Sequence, residues 1–521
     1  MSSIAALRQR HAREAALAAV CAILFLTFLD NTIVSVALAD VQTSLSSSVT
    51  GLQWIVDGYM LAFAALMLTG GTLGDLLGRK KVMLAGVAVF CAGSIVAAVA
   101  QSTGVLIAGR VVMGVGAAAS EPGTLSLIRH IYPEREERAV ALGVWAAVSG
   151  LALALGPVLG GVFVGGPGWR WIFWFGLGFG AVALAVAAVT LTESRDPQGR
   201  RLDVPGLAVG AAAIVAATFA VIEGENRSWG TWWIVLLFVA AAVLAVVFVL
   251  VEQRVPDPVL KLEFLRNPTF AAANVVAFAT NLSVFAVFFF TALYLRLISN
   301  FSGYQIALVF TSLAVAMIVA GPIAGRWTAR VGPRVPMVLG CALAGLGLLL
   351  VDWKLTATTS VAALTWPLAI AGLGFGIALV TMTAAVLTLV PAEQSGMAAS
   401  TVNTSRELGG VFGVAVLGAV VNAQLTSGLG EKLAKLGIPA YFRQFVIRFV
   451  TTGGDIQSAE HSQAAKGHVK LVAKVLLAAE GSAGHGVHLA LRIAGGIVLA
   501  AAFVALLALR RRVGHVEEVE A

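Results

Sequence analysis

Gly71-Thr-Leu-Gly-Asp75-Leu-Leu-Gly78-Arg79-Lys80-Lys81 joins two apolar runs, at about 52–74 and 82–101. A bilayer-spanning helix takes roughly 20 apolar residues, and each run supplies that length. The link between them has room only for a tight turn, which glycine permits. Arg79, Lys80 and Lys81 collect where the turn enters the second run. Lys and Arg gather in short cytoplasmic loops of membrane proteins, so this short stretch predicts two packed membrane helices and gives their direction.

Outward from that turn the same pattern repeats. Of 521 residues, 59% are hydrophobic and only 12% charged, against about 25% charged in a soluble domain. The predicted spans are about 15–38, 52–74, 82–101, 104–128, 139–164, 170–192, 204–223, 231–251, 269–294, 303–325, 335–352, 362–390, 396–422 and 488–509. The expectation is an all-α integral membrane protein with about fourteen spans. The 56 glycines lie inside the runs, where small residues let helices approach closely. Cys21, Cys91 and Cys341 are widely spaced in apolar segments, which argues against a disulfide framework or a zinc site. Residues 2–13 are short and basic, and the first run contains Asp30, so the reading is a retained helix and not a cleaved signal.

Charge placement sets the topology. With the N-terminus inside, the inner segments hold 21 Lys and Arg, including Arg8, Arg135, Arg200, Arg201 and Arg510 to Arg512, against 4 outside. The net charge of +8 therefore reads as positive-inside loops and not as a nucleic-acid surface. Both termini are expected in the cytoplasm and the protein in the cell inner (plasma) membrane. A stretch at about 423–487, containing Lys432, Lys435, Phe442, Phe445, Val446 and Phe449, is expected outside, either as an amphipathic helical cap or as a plain loop.

An internal repeat organises the spans. Gly71 and Gly78 recur as Gly325 and Gly332 at an offset of 254, and Gly114, Gly116 and Pro133 as Gly372, Gly374 and Pro391 at an offset of 258. The division is a first six-helix bundle at 1–192, two inserted helices at 193–266, and a second six-helix bundle at 267–521 carrying the 423–487 loop. Repeated halves are how many secondary transporters build a central site with alternating access. Asp75 can then sit against a cation or helix N-terminus of the other half, latching one conformation. The second copy has Ala329 at that position, so a charged latch is one-sided.

With this loop pattern of glycine, aspartate, glycine and basic residues (Gly71, Asp75, Gly78, Arg79), the chain resembles the major facilitator superfamily. Ser149-Gly150-Leu-Ala-Leu-Ala-Leu-Gly156-Pro157-Val-Leu-Gly160-Gly161 looks like the signature of that superfamily's antiporters. Physically these residues suit a hinge or a tight seal, or plain close packing. Leu29-Asp30-Asn31-Thr32-Ile33-Val34-Ser35-Val36-Ala37-Leu38, Trp54 to Tyr59, and Asn403-Thr-Ser-Arg406-Glu-Leu-Gly409-Gly410, together with fourteen spans, resemble the fourteen-helix drug:proton antiporter family. The resemblance implies two six-helix bundles with an inserted pair, a monomer, export of drug-like molecules, and coupling through the helix-one aspartate and helix-four arginine.

Charge inside the spans marks candidate sites, because a charge at mid-bilayer is costly and faces a pathway or a partner. Asp30 lies roughly 3 Å from the centre of its helix at 1.5 Å per residue. Thr27, Asp30, Asn31 and Val34 share one face. Arg110 and Glu121 stand on one face of helix four about 16 Å apart, bracketing the midplane with Gly114 between. Asp30 is expected to exchange a proton with substrate while Arg110 holds its affinity within reach of neutral pH; a purely structural ion pair is the alternative. Substrate-cavity candidates are Asn31, Asp57, Glu121 and Arg406. Glu121 either meets substrate or snorkels inward, Asp57 fits interfacial polarity as well, and Arg406 with Glu407 suits a mutual or cross-half ion pair. Apart from Glu407, no carboxylate stands well inside the last six spans. Trp169, Trp171 and Trp174 are expected to anchor at the interface, and Phe285, Phe288, Phe289 and Phe290 to face lipid or line a pocket.

Other classes fit poorly. No Gly-x-x-x-x-Gly-Lys-Ser/Thr loop is present for an ATP-driven pump. The histidines, among them His485 and His488, fall in expected loops, tails and helix ends, so neither a metal centre nor an enzyme is expected, and no cofactor beyond a proton gradient. The expected partners are a small-molecule substrate, protons and the lipid bilayer. A pocket of apolar residues with one or two carboxylates suits amphipathic neutral or monocationic compounds. Export of an endogenous metabolite, or proton-coupled uptake, are the other readings.

Overall fold

A computed structural model of the chain describes residues 3–509 apart from 48, 196–202, 228, 257, 259, 300, 302, 392–393, 436–442 and 444–468. The helices are α1 Ser3–Leu45, α2 Val49–Leu77, α3 Arg79–Ala98, α4 Thr103–Ile131, α5 Arg135–Gly165, α6 Arg170–Thr190, α7 Val204–Arg227 and α8 Trp232–Glu252. They continue as α9 Leu262–Arg266, α10 Pro268–Leu297, α11 Gly303–Val331, α12 Arg334–Lys354, α13 Val361–Leu389, α14 Ser395–Lys435 and α15 Val469–Ala508. Among the described residues, fourteen are long and apolar enough to cross a membrane; α9 is the exception. The protein is a multi-pass membrane protein. Helices are the natural solution, because a lipid-exposed backbone must bond within its own segment.

At its two ends the stretch at 423–487 is not the plain loop that is one of its two expected forms. α14 continues to Lys435 and α15 begins at Val469, so both ends of that stretch are helical. Loss of apolar residues marks the bilayer edge and not the end of a helix, whose bonds need no lipid. The extensions pack on each other: Leu429 and Leu433 are fully buried, and Lys432 donates to the Ala478 carbonyl at 3.4 Å. His485 and His488 accordingly lie within a helix. Phe442, Phe445, Val446 and Phe449 lie outside the described residues, as do Arg200, Arg201 and Arg510 to Arg512.

The repeat is expressed as equivalent contacts. A Cβ on Gly116 would strike Phe90 and Gly86 of α3; one on Gly374 would strike Ala344 and Gly340 of α12. Likewise Gly114 lies against the Tyr59 carbonyl of α2, and Gly372 against the Leu313 carbonyl of α11. Gly78 and Gly332 both take positive φ, 115° and 81°, where only glycine turns without strain. Each half thus closes its second-to-fourth and third-to-fourth helix contacts through the same small residues, and turns from its second helix to its third at a positive-φ glycine.

α1 to α6 pack among themselves, as do α10 to α15. α7 and α8 pair with each other, and α7 lies against α2 and α14. α8 is the most apolar of the spans and the least buried, as befits a helix whose solvent is lipid. The halves meet mainly through α5 with α11 and α2 with α14. Gly143 faces the Gly321 carbonyl, Gly325 the Ala139 carbonyl, and Gly150 the Met317 side chain. These lie in the first half of α5 and the second half of α11, so the described seam is closed toward the end that carries the basic loops.

Candidate functional site

The opening turn of the sequence is the hub of that closed end. Asp75 accepts from Arg79 Nε at 2.9 Å and lies 2.8 Å from its Nη2. Its other oxygen accepts from the Met397 N–H at 3.0 Å. Met397 is the third residue of α14, so Asp75 caps the N-terminus of a helix in the other half, where the helix dipole favours an anion. At Gly78 the positive φ already strains any side chain, and the Glu193 carboxylate occupies the adjoining space, its atoms 2.8–2.9 Å from where a Cβ would stand. Glu193 accepts from the backbone N–H of Lys80 and Lys81 at 3.1 and 3.2 Å, capping α3. In return Lys80 Nζ donates to the Ala188 and Leu191 carbonyls, both at 2.7 Å, capping α6. Glu193 has no marker in the sequence beyond an acid after an apolar run.

Of the helix-five residues, Gly150 meets α11 across the seam, whereas Gly156 lies against Thr32 of α1. Thr32 donates to the Leu153 carbonyl at 3.2 Å, so the missing Cβ makes room for a hydroxyl that bonds the same helix. Gly160 is buried and Gly161 faces open space. α5 runs unbroken through Pro157.

The buried centre holds two ion pairs. Asp30 of α1 is hydrogen-bonded to Arg110 Nη1 of α4. Arg110 Nε donates to the Ile55 carbonyl at 2.9 Å, and its guanidinium lies 4.4 Å over the Tyr59 ring. Tyr59 in turn donates to the Thr27 carbonyl at 3.3 Å. The pair is buried, with side-chain exposures of 1% for Arg110 and 7% for Asp30. Asn31 sits beside Asp30 with its Oδ1 unpartnered. Asp57 of α2, two residues from both Ile55 and Tyr59, is half-buried.

About three turns along α4 from Arg110, Glu121 meets Arg406 of α14 at 2.5 Å. The guanidinium lies 4.8 Å over Phe28 and 5.5 Å over Trp145. Trp145 Nε1 donates to Thr124 Oγ1 at 3.1 Å, and Thr124 donates to the Glu121 carbonyl at 2.6 Å. Glu407 Oε1 stands 3.6 Å from the same Arg406 nitrogen. Glu121 Oε2, Arg406 Nε and Nη1, and both polar atoms of fully buried Asn403 have no partner. A buried unpartnered polar atom costs about 1–3 kcal/mol, so a polar partner at these atoms would be favoured. Of the sequence candidates, Asp30 and Arg110 come together, Glu121 and Arg406 come together across the halves, and the two pairs share α4.

Several groups lay beyond the sequence reading. Asp352, near the end of α12, is buried and accepts from His488 Nδ1 at 2.6 Å and Arg492 Nε at 2.8 Å of α15. It is a further buried carboxylate of the second half, placed at the end of its span and not well inside it. Its place two residues before the end of α12 hid it. Of the aromatics, Trp169 is buried beneath Arg170, at 4.3 Å, while Trp171 and Trp174 are exposed. Phe289 faces outward and Phe290 is buried.

Comparison with known proteins agrees with this architecture. Residues 20–414 match the family model described as Major Facilitator Superfamily. The chain is 33% identical over 412 residues to Multidrug resistance protein Stp of Mycobacterium tuberculosis, covering 79% of this chain and 76% of that protein. It is 34% identical to the Methylenomycin A resistance protein of Streptomyces coelicolor, covering 79% and 86%. It is 30% identical to the Drug efflux pump JefA of Mycobacterium tuberculosis over 487 residues, covering 92% and 95%. The crystal structure of the human organic anion transporter MFSD10 (TETRAN) superposes with a TM-score of 0.61 at 14% identity, covering 95% of this chain and 99% of that one, a likeness of fold. With a family match across most of its length and a two-half helical architecture to go with it, this chain belongs to the Major Facilitator Superfamily.

Proposed function

We propose that this transporter exports small amphipathic or lipophilic molecules, drugs and antibiotics among them, in exchange for protons by alternating access. The observation that carries the reading is the Asp30–Arg110 pair, buried between α1 and α4 beside Asn31, whose Oδ1 has no partner. A carboxylate held there by one guanidinium changes its charge with one proton, and a cationic or polar substrate can compete for it. Asn31, Asp57, Glu121 and Arg406 supply the polar contacts of the cavity, and the Phe28, Tyr59 and Trp145 rings its apolar wall. The relatives named for multidrug and antibiotic resistance support the substrate class and the outward direction. On this reading the basic end faces the cytoplasm, the protein works as a monomer in the plasma membrane, and the proton gradient is its energy source.

The test is efflux of a fluorescent lipophilic cation from preloaded cells, with and without a protonophore, for wild type and Asp30→Asn at matched membrane levels. Export that stops with either the protonophore or the substitution supports the reading. An Asp30→Asn variant exporting at the wild-type rate overturns it.

A further inference from the structure

Charge in the buried centre does not balance. Two guanidiniums, Arg110 and Arg406, lie among three carboxylates, Asp30, Glu121 and Glu407, all at most 6% exposed. Asp30 and Arg110 satisfy each other. Arg406 is left with two acids: its Nη2 is 2.5 Å from Glu121 Oε1 and 3.6 Å from Glu407 Oε1. One guanidinium neutralises one carboxylate, and a second buried one is strongly disfavoured unless it binds a proton. The two acids therefore titrate as a unit around a shared cation.

Their positions in the fold differ in a way that matters. Glu121 belongs to α4 of the first half and reaches Arg406 across the seam, whereas Glu407 is Arg406's neighbour on α14. Parting of the halves breaks the first contact and leaves the second within reach. Arg406 Nε and Nη1 are unpartnered, and so is Glu121 Oε2, so both partners have bonding capacity for a second arrangement. Among the described residues, Tyr59 on α2 stands in the field of both acids and of Asp30 and Arg110.

We propose that Arg406 exchanges counter-ions during the cycle, making Glu407 a second proton carrier and Glu121 the seat of a cationic substrate group; this rests on the proton-exchange reading above. With the basic end closed, Arg406 is held by Glu121 and Glu407 carries the proton. When that end opens, Glu121 loses Arg406 and takes the substrate's cationic group. Arg406 turns to Glu407, whose proton leaves to water on the basic side as its carboxyl becomes carboxylate. Closing the end returns Arg406 to Glu121, which displaces the substrate cation, and Glu407 takes a proton again. No other bond is made or broken.

The experiment uses the purified full chain in liposomes, measuring ethidium flux and lumenal pH together to give protons moved per cation. Glu407→Gln is expected to lose one proton per cation. Glu121→Gln is expected to slow ethidium flux, because it removes the cation's seat, and to lose the same proton per cation that still moves, because Arg406 then stays on Glu407 throughout; the double variant is expected to lose no more protons per cation than either. A Glu407→Gln ratio equal to wild type, or a double variant losing twice as much, overturns the proposal. If Glu407→Gln does not reach the membrane, Glu121→Gln reads the same quantity: an unchanged ratio refutes, a loss of one proton supports. Wild-type protein that moves ethidium with no protons fails the antiport reading itself, a result distinct from wild type that moves protons while the variants match it.

Discussion

Asp75→Asn should open the basic end. The carboxylate contacts Arg79 inside its own half and the Met397 N–H across the seam at 3.0 Å. The contact across the seam distinguishes closed from open, and a contact shifts an equilibrium only by its difference between the two states. A hydrogen bond to a charged group contributes about 1.5–3 kcal/mol and a neutral one about 0.5–1.5. Asparagine keeps an acceptor oxygen but loses the charge, so closure weakens by about 1–2 kcal/mol, a factor of roughly 5–30 in the open population. Ala139, 4% exposed in the closed seam, reports it. With Cys21, Cys91 and Cys341 replaced, Ala139→Cys should react with a membrane-impermeant maleimide from the basic side faster in Asp75→Asn by about that factor. Equal labelling rates in the two backgrounds would show that the bond to α14 does not hold the closed state.

Gly143→Leu attacks the same seam by volume: a Cβ there would lie 2.5 Å from the Gly321 carbonyl oxygen and 2.7 Å from Pro322 Cα, both backbone. Overpacking of about 1–3 kcal/mol should hold the end open, raise labelling at Ala139→Cys and depress efflux; labelling at the parent rate would contradict it. Gly156→Ala collides with Thr32 and should lower the melting temperature in detergent. Thr32→Ala should restore only part of that loss, since Cβ of residue 32 itself lies 2.8 Å from the new methyl, and full restoration would count against the packing account. Glu193→Ala removes the cap of α3 and should cost about 0.5–2 kcal/mol in the same melting assay, with the wild-type melting temperature as the refuting result.

Periodicity and composition made the spans legible, because lipid forces every crossing segment to be both apolar and helical. The glycine offsets made the repeat legible too, since Gly116 and Gly374 carry equivalent crossings. Asp30 with Arg110 could be paired in advance: each is a rare charge on its own apolar helix, at similar depth. Glu121 with Arg406 was harder, because 285 residues separate them and only the seam brings them together. The end of α14 was not legible, because a helix that leaves the bilayer loses its hydropathy signal and keeps its hydrogen bonds. Glu193 and Asp352 were hidden for a related reason. An acid at a helix end looks like ordinary boundary polarity until its partners, the α3 N–H groups in one case and His488 with Arg492 in the other, are seen to face it.

Asymmetry between the two halves follows from the same local chemistry. By the repeat, Ala329 should stand to the start of α5 as Asp75 stands to the start of α14. The first turn of α5 already carries Glu136 and Glu137, with Glu134 at the cap position, whereas the first turn of α14 carries no acid. An N-terminus that supplies its own negative charge gains little from a partner's carboxylate and would repel it. The α5 side therefore closes by shape, with Gly143, Gly321 and Gly325 letting backbones meet, and the α2 side by charge through Asp75. The two closures respond to different perturbations. Charge removal loosens one and added volume the other, and Arg406 lies on the charged side, on the helix that Asp75 caps. A counter-ion change at Arg406 and the release of Asp75 from Met397 thus act on one rigid element, nine residues apart, which gives the buried charges a direct mechanical route to the gate.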